Sequence, residues 1–451
     1  MKQLLSLLSM ALICSLSVPA SGQATAEERL NILENSLKSQ AIIIEEQQRA
    51  MGALKDEIEK QRNSQARQPG EEESPSSSKV SGFFGGSILT NPNISLSLDA
   101  FVYGSSLNDS ELEGRGIPGF TTLGKDARNG FNMGAAEDGA ELFIFAPVDP
   151  YFNLYVNLPF SDEGVVLEEA YAVSTALPEG FQVKLGKFKS NVSRINAQHP
   201  HAWDFFDIAL PYRAFLGNEG SGGEKGMQLT WLPSLPFYTQ LGAELLQGEN
   251  DLLFGAPARS GPHAFSVFVK SSFETTEDST LYFGPSVLFG KTRNSSIVAD
   301  AEVDGRSALY GMEAFWKWKP SSRESVTLQS EYLFLTQRGD VTDLVTETEE
   351  SWRRHQDGLY LQGIYQLGRW RFGARYDVLE LFADTFERAG VQQDLGATPW
   401  RATGSMEYNP SEFTRIRLQY NHDRTARNGR SNDEAILQFV FGIGAHAAHN
   451  F

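Results

Sequence analysis

Asn93-Ile94-Ser95-Leu96-Ser97-Leu98-Asp99-Ala100-Phe101-Val102-Tyr103 alternates without a break. Ile94, Leu96, Leu98, Ala100 and Val102 fall on one face of an extended chain, and Ser95, Ser97, Asp99, Phe101 and Tyr103 on the other, because successive side chains of a strand point to opposite sides. A helix built from this stretch would have no apolar stripe. The same period of two returns in Phe152, Leu154, Val156 and Leu158 against Tyr151, Asn153, Tyr155 and Asn157. It recurs near 140–146, 165–175, 181–190, 225–232, 237–246, 264–273, 279–290, 306–318, 325–336, 358–366, 369–380, 398–408, 413–421 and 434–445. With the two stretches quoted first, the pattern predicts sixteen strands.

The connections differ systematically in length. Pro147-Val148-Asp149-Pro150, Leu177-Pro178-Glu179-Gly180, Leu232-Pro233-Ser234-Leu235-Pro236 and Tyr408-Asn409-Pro410-Ser411 read as tight turns. Longer polar connections are expected at 105–138, 191–224, 247–263, 291–304, 337–356, 382–396 and 422–433, with Ser161-Asp162-Glu163-Gly164 short where a long one was due. Short turns at one end, long loops at the other and an even strand count predict an all-β fold: a closed antiparallel transmembrane β-barrel occupying 90–451. A soluble sandwich has no reason to segregate loop lengths in this way. Closure also removes every unpaired sheet edge, which is the only way strands span a bilayer. Trp316, Trp318, Trp370, Trp400 and Tyr408 lie near strand ends, as interfacial girdles require.

Ahead of the barrel the texture changes three times. Lys2, the apolar run Leu4 to Val18 and the small residues around Gly22 and Ala24 predict a secretory signal peptide over 1–24. Cys14, the one cysteine, lies inside it behind Ile13 rather than a small residue, which argues against a lipidated start. Between 25 and 62, Leu30, Leu37, Ile44, Met51 and Ile58 recur every seven residues, with Leu33 and Leu54 on a second seam completed by Gln40, Gln47 and Gln61. This narrow stripe predicts a periplasmic coiled coil that ties chains together, as a trimer or a dimer. The polar, Ser- and Pro-containing stretch 63–89 is expected to be a flexible linker.

The net charge is −18, of which −16 falls on the barrel segment, much of it in loops such as 337–356. This acidity bears on the pore mouth more than on its narrowest point. Nucleic acid is not an expected partner, no nucleophile and base stand in a catalytic arrangement, and no cofactor is expected. A heptad helix and a linker fill the space that a globular plug would need.

On this plan the chain resembles the sixteen-stranded porins of bacterial outer membranes. The N-terminal helix is similar to extensions of certain sugar porins, and the whole layout to the phosphate-selective porin O/P group. A terminal Phe451 in phase with Leu437, Phe439, Phe441 and Ile443 resembles the signature read by the barrel-assembly machinery. The resemblance implies an outer-membrane channel for small polar or charged solutes, embedded in outer-membrane lipid as a homotrimer. It also implies that the loop after the fifth strand, 191–224, folds inward and narrows the lumen. That loop carries Arg194, His199, His201, Asp204, Asp207 and Arg213.

Parity places Arg371, Arg375, Arg401, Arg415 and Arg417 on the lumen side of three neighbouring strands, since Trp370, Phe372, Tyr376, Trp400, Ile416 and Leu418 suit lipid. These arginines are expected to face Asp204 and Asp207 across the pore or to pair locally with Glu407 and Asp377. The segment His199-Pro200-His201-Ala202-Trp203-Asp204-Phe205 resembles one in proteins described as zinc-regulated outer-membrane receptors. By that resemblance His199, His201 and Asp204 form a candidate divalent-metal site and metal uptake an alternative function, with an envelope tether as another. His446 and His449 read as interfacial residues.

Overall fold

The computed structural model describes residues 92–113, 129–133, 139–161, 164–255, 260–293 and 301–444. The signal peptide, the heptad seam from Leu30 to Ile58, the linker, Phe451, His446 and His449 all lie outside them.

Sixteen long strands run in chain order: β1 Asn93–Ser105, β2 Ala140–Pro147, β3 Phe152–Ser161, β4 Glu169–Ser174, β5 Phe181–Lys189, β6 Gly223–Trp231, β7 Tyr238–Leu246 and β8 Ala264–Thr276. They continue as β9 Ser279–Arg293, β10 Ala301–Ser321, β11 Glu324–Asp343, β12 Glu349–Leu367, β13 Trp370–Arg388, β14 Trp400–Ser411, β15 Thr414–Arg424 and β16 Asn432–Gly444. Each pairs antiparallel with its neighbours in sequence. The barrel closes where β1 meets β16, from Ser95 opposite Gly444 to Ser105 opposite Glu434. Three short segments, Gly130–Met133, Gly164–Val165 and Val391–Gln392, add brief pairings to the wall.

Alternation sets the two faces. On β1, Ser95, Ser97, Asp99, Phe101 and Tyr103 are buried, while Ile94 and Leu98 face outward. Outward side chains elsewhere include Leu185, Leu229, Val267, Phe283, Tyr310, Leu361, Phe372 and Ile443. These form the apolar band that a bilayer needs, and polar groups collect inside. Aromatic pairs mark the short-turn end: Phe181 stacks on Trp231 with centroids 5.6 Å apart, and Trp370 lies 4.7 Å from Tyr408.

The wall is uneven in height. Strands β2 to β5 hold 8, 10, 6 and 9 residues, close to one tilted crossing. Strands β10 to β13 hold 21, 20, 19 and 19. This corrects the expected polar loops at 291–304, 337–356 and 382–396, much of which is strand. Beyond the lipid the outward residues turn polar (Arg338, Asp340, Thr342), so the apolar signal ends while the hydrogen-bond ladder continues. The fourth strand begins at Glu169 rather than 165, because Gly164 and Val165 pair back onto β3.

Candidate functional site

The segment after β5 lies inside the barrel. It has little regular structure beyond a short helix, Leu210–Phe215, so its backbone polar groups need partners from elsewhere. Inward-facing carboxylates and amides of the wall supply them. The amide of Asn191 donates to Glu244 at 2.9 Å, that of Arg194 to Glu313 at 2.5 Å and that of Phe206 to Gln419 at 2.8 Å. Toward the loop's carbonyls, Arg415 donates to His201 at 2.8 Å and Arg417 to Trp203 at 2.8 Å.

Apolar side chains of the loop complete the attachment. Val192, Trp203, Ile208, Leu210, Tyr212 and Phe215 are buried with inward residues such as Leu288, Leu309, Leu333 and Tyr360. Two glycines make room. A Cβ on Gly373 would come within 3.0 Å of the Phe205 ring, and one on Gly358 within 2.9 Å of Pro211. Phe206 meets Phe101 edge-on at 4.6 Å, and Arg375 lies over the Phe205 ring at 4.8 Å.

The five wall arginines all point inward, and the loop carboxylates are in direct contact with them. Arg371 bonds Asp204 at 2.5 Å and Glu407 at 2.9 Å. Arg375 bonds Asp207 at 3.0 Å and Asp377 at 3.0 Å, and Arg401 pairs with Asp207 and, at 3.7 Å, with Asp423. Arg417 and Arg415 reach Glu407 at 2.8 and 3.4 Å. The expectation of opposed charges across an open gap is therefore corrected: loop and wall are clamped together, and local pairing with Glu407 and Asp377 occurs as well. The physical reason is desolvation, since charges this deeply buried are tolerable only in contact with counter-charges. Burial pushes the Asp207 carboxyl up, but Arg375 and Arg401 outweigh it and hold it well below the usual carboxylate range. Arg371 and Asp204, 21 and 26 % exposed, are the pair in this group that water reaches together.

The two histidines lie on another side of the wall. His199 donates from Nδ1 to Glu168 at 2.9 Å and from Nε2 to Glu169 at 2.8 Å, while Nδ1 of His201 lies 3.0 Å from Glu141. Lys189 adds an ion pair to Glu168 at 2.6 Å, and Asn157 donates to the same carboxylate at 2.8 Å. Burial would lower the His199 pKa, but Glu168 and Glu141 outweigh it and raise it well above the ordinary value, which favours the imidazolium form. The expected metal triad is not assembled, because Asp204 is held by Arg371 away from the rings. The groups brought together are instead Glu141, Glu168 and His199, each offering one ligand atom within 4.8 Å of the others.

Arg194 and Arg213 also stand apart from the arginine comb. Arg194 packs over the Phe315 ring at 4.2 Å, and Arg213 sits in the short helix within the field of Asp207. Sequence reasoning missed a second inward element. Helix Asp251–Phe254, within a connection expected to be polar and external, buries Leu253 and Phe254 and bonds Thr292, Ser307 and Gln337 through its carbonyls. Its preceding amides, of Gly248, Glu249 and Asn250, all donate to Glu224. The signal was present in Leu252-Leu253-Phe254, an apolar run with no place in a solvated loop.

No protein-family model matches the chain. An uncharacterised protein of Aquifex aeolicus is 39 % identical over 388 residues, covering 80 % of each chain. Among solved structures, the outer membrane channel DcaP of Acinetobacter baumannii matches 78 % of this chain and 97 % of its own at 14 % identity, with a TM-score of 0.50. An anion-selective porin from Comamonas acidovorans matches 78 % of this chain and all of its own at 9 % identity, again with a TM-score of 0.50. At these identities the likeness establishes a shared barrel fold.

Proposed function

The chain belongs to one family with the Aquifex aeolicus protein and has the fold of the outer-membrane porins, and from that premise we propose that it is a diffusion channel for small polar or charged solutes. The observation that carries this reading is the 191–224 loop, clamped inside a sixteen-stranded barrel whose inner face is polar. Sixteen strands enclose more space than side chains alone fill, and a loop fixed inside sets the width and charge of what remains. Solutes pass the water-exposed Arg371–Asp204 pair. The test is planar-bilayer recording of the purified chain. Stepwise conductance is expected, and its absence at protein levels where porins insert would sink the channel and leave a membrane anchor.

The chain acts as a homotrimer in the outer membrane, in this reading, with its N-terminal helix in the periplasm and Phe451 presented to the assembly machinery. The low wall supports the trimer: Val165, Val166 and Leu185, more than half exposed, lie beside the shortest strands and suit contact with neighbouring copies.

A second reading, capture or passage of a divalent metal, has one observation in its favour, the Glu141–Glu168–His199 grouping. A nitrogen and two carboxylates suit zinc, but an ion there would have to displace the Nδ1 proton and compete with Lys189. Equilibrium dialysis against zinc decides it: retention no greater than in His199→Ala removes the reading.

A further inference from the structure

On the outward face of the high wall, Lys291, Arg306, Arg338 and Arg353 lie directly opposite one another in the register, Lys291 to Arg306, Arg306 to Arg338 and Arg338 to Arg353. Their inward neighbours Thr292, Ser307, Gln337 and Arg354 are buried, whereas all four cations are exposed. Adjacent strands run about 4.8 Å apart, so this row places four like charges side by side, an arrangement that destabilises a sheet. Ion pairs do little to relieve it. Among the described residues, Lys291, Arg306 and Arg338 have no carboxylate partner, and Arg353 has Glu387 at 3.6 Å. Elsewhere on this face cations are matched: Arg293 with Asp304 at 3.0 Å and Arg388 with Glu350 at 3.3 Å. In a chain of net charge −18, a row of four cations with one ion pair among them is out of keeping with the rest of the surface.

Its height on the wall indicates what balances it. One step toward the short-turn end the residues are Phe289, Ala308, Thr336 and His355, and the next step brings Val287, Tyr310, Phe334 and the buried Asp357, whose carboxylate is taken up by the Phe382 amide. The row therefore sits at the upper rim of the apolar band and borders a cleft of about 690 Å³ lined by Arg306, Arg338 and Arg353 together with Asp304, Asp340 and Glu387. One step the other way come Arg293, Asp304, Asp340 and Ser351, with Asp304 already paired to Arg293.

We propose that this row binds the phosphorylated headgroup of an outer-leaflet glycolipid, whose acyl chains lie along the apolar band below. Guanidinium groups suit phosphate because their donors form a planar fork that matches its oxygens. A free phosphate arriving from water meets Asp340 and the neutralised Arg293–Asp304 pair first, whereas a headgroup anchored in the membrane reaches the row from the apolar side. The long-loop end, where the row sits, is the outer-leaflet end of such a barrel.

The experiment titrates the full-length protein in detergent with fluorescently labelled lipopolysaccharide, alongside the triple variant Arg306→Gln, Arg338→Gln, Arg353→Gln. Loss of three charge-assisted contacts is expected to weaken binding by about tenfold or more. Phosphatase-treated lipopolysaccharide is expected to bind the unaltered protein as weakly, and millimolar inorganic phosphate is expected to displace nothing. Folding is checked by heat-modifiable gel mobility; should the triple variant fail that check, Arg338→Gln alone is expected to weaken binding and Arg338→Lys to restore part of it. Unchanged affinity in a folded variant, equal binding of the dephosphorylated lipid, or displacement by inorganic phosphate each overturns the proposal. Because the row lies outside the lumen, single-channel conductance of the variants is unaltered, so failure here and failure of the channel reading are told apart.

Discussion

Asp204→Asn isolates the charge that a passing ion meets at the loop. The substitution keeps the side-chain shape and removes one negative charge, and Arg371 retains Glu407 at 2.9 Å, so no guanidinium is stranded. The pair is partly exposed, and its loss costs about 1 kcal/mol of stability, too little to unfold a barrel. The electrostatic effect on permeation is larger in relative terms. A unit charge about 7 Å from an ion in a water-like medium contributes about 0.6 kcal/mol, close to RT. Removing it admits chloride roughly threefold more readily and potassium roughly threefold less, a shift of about sevenfold in the permeability ratio. The assay is the zero-current potential across a planar bilayer under a tenfold potassium chloride gradient, in dilute salt so that screening does not hide the effect. The reversal potential is expected to move toward chloride by tens of millivolts. An unchanged potential, in channels of normal conductance, would refute the inference that solutes pass Asp204.

Three further outcomes follow from the same contacts. Arg401→Gln, at a position 1 % exposed between Asp207 and Asp423, removes the cation from a buried cluster at a cost of about 3–5 kcal/mol; it is expected to lower the temperature at which the folded gel band is lost, and a retained midpoint would contradict the clamp. Tyr212→Phe deletes the hydroxyl that bonds Glu331 and sits 2.5 Å from that of Ser193, and is expected to cost about 1–3 kcal/mol in the same assay while leaving ion selectivity unchanged. Because the folded His199 pKa is raised above its unfolded value of about 6.5, its stabilisation is complete below that pH and fades as pH climbs through the raised folded value. Thermal midpoints of the unaltered protein and His199→Gln should thus differ most at mildly acidic pH and converge in alkali, and a gap that is constant with pH would count against the imidazolium.

The barrel was legible because lipid imposes one rule on every crossing. An outward apolar band forces alternation, so Ser95 to Tyr103 and Arg371 to Arg375 could be assigned to faces from parity alone. That rule stops at the lipid boundary, and so the outer halves of β10 to β13 read as loops although the ladder runs on through Arg338 and Asp343. The loop's inward course was signalled by Trp203, Phe205, Phe206 and Tyr212, which solvent would not tolerate together. Its partners were not. Parity says that Glu141, Glu169 and Glu407 face inward, but not at what height they meet a loop drawn from elsewhere in the chain, and Glu168, just ahead of its strand, escapes it. His201 joins Glu141 across 60 positions, and Asp207 joins Arg401 across 194. The assumed His199–His201–Asp204 triad failed for the same reason, since closeness in sequence along an extended loop points side chains at different walls.

The way the inner loop is held has a consequence for anyone wishing to widen this pore. A hinged lid can be cut away to leave a larger opening. Excision of 191–224 would take Asp207 from Arg375 and Arg401, the backbone donors from Glu244 and Glu313, and the cover from Leu309 and Leu333. The segment thus serves as an internal brace, and the wall has been written around it. Enlargement by single substitutions at the exposed Arg371–Asp204 edge keeps that brace, whereas deletion is expected to yield a barrel that does not assemble.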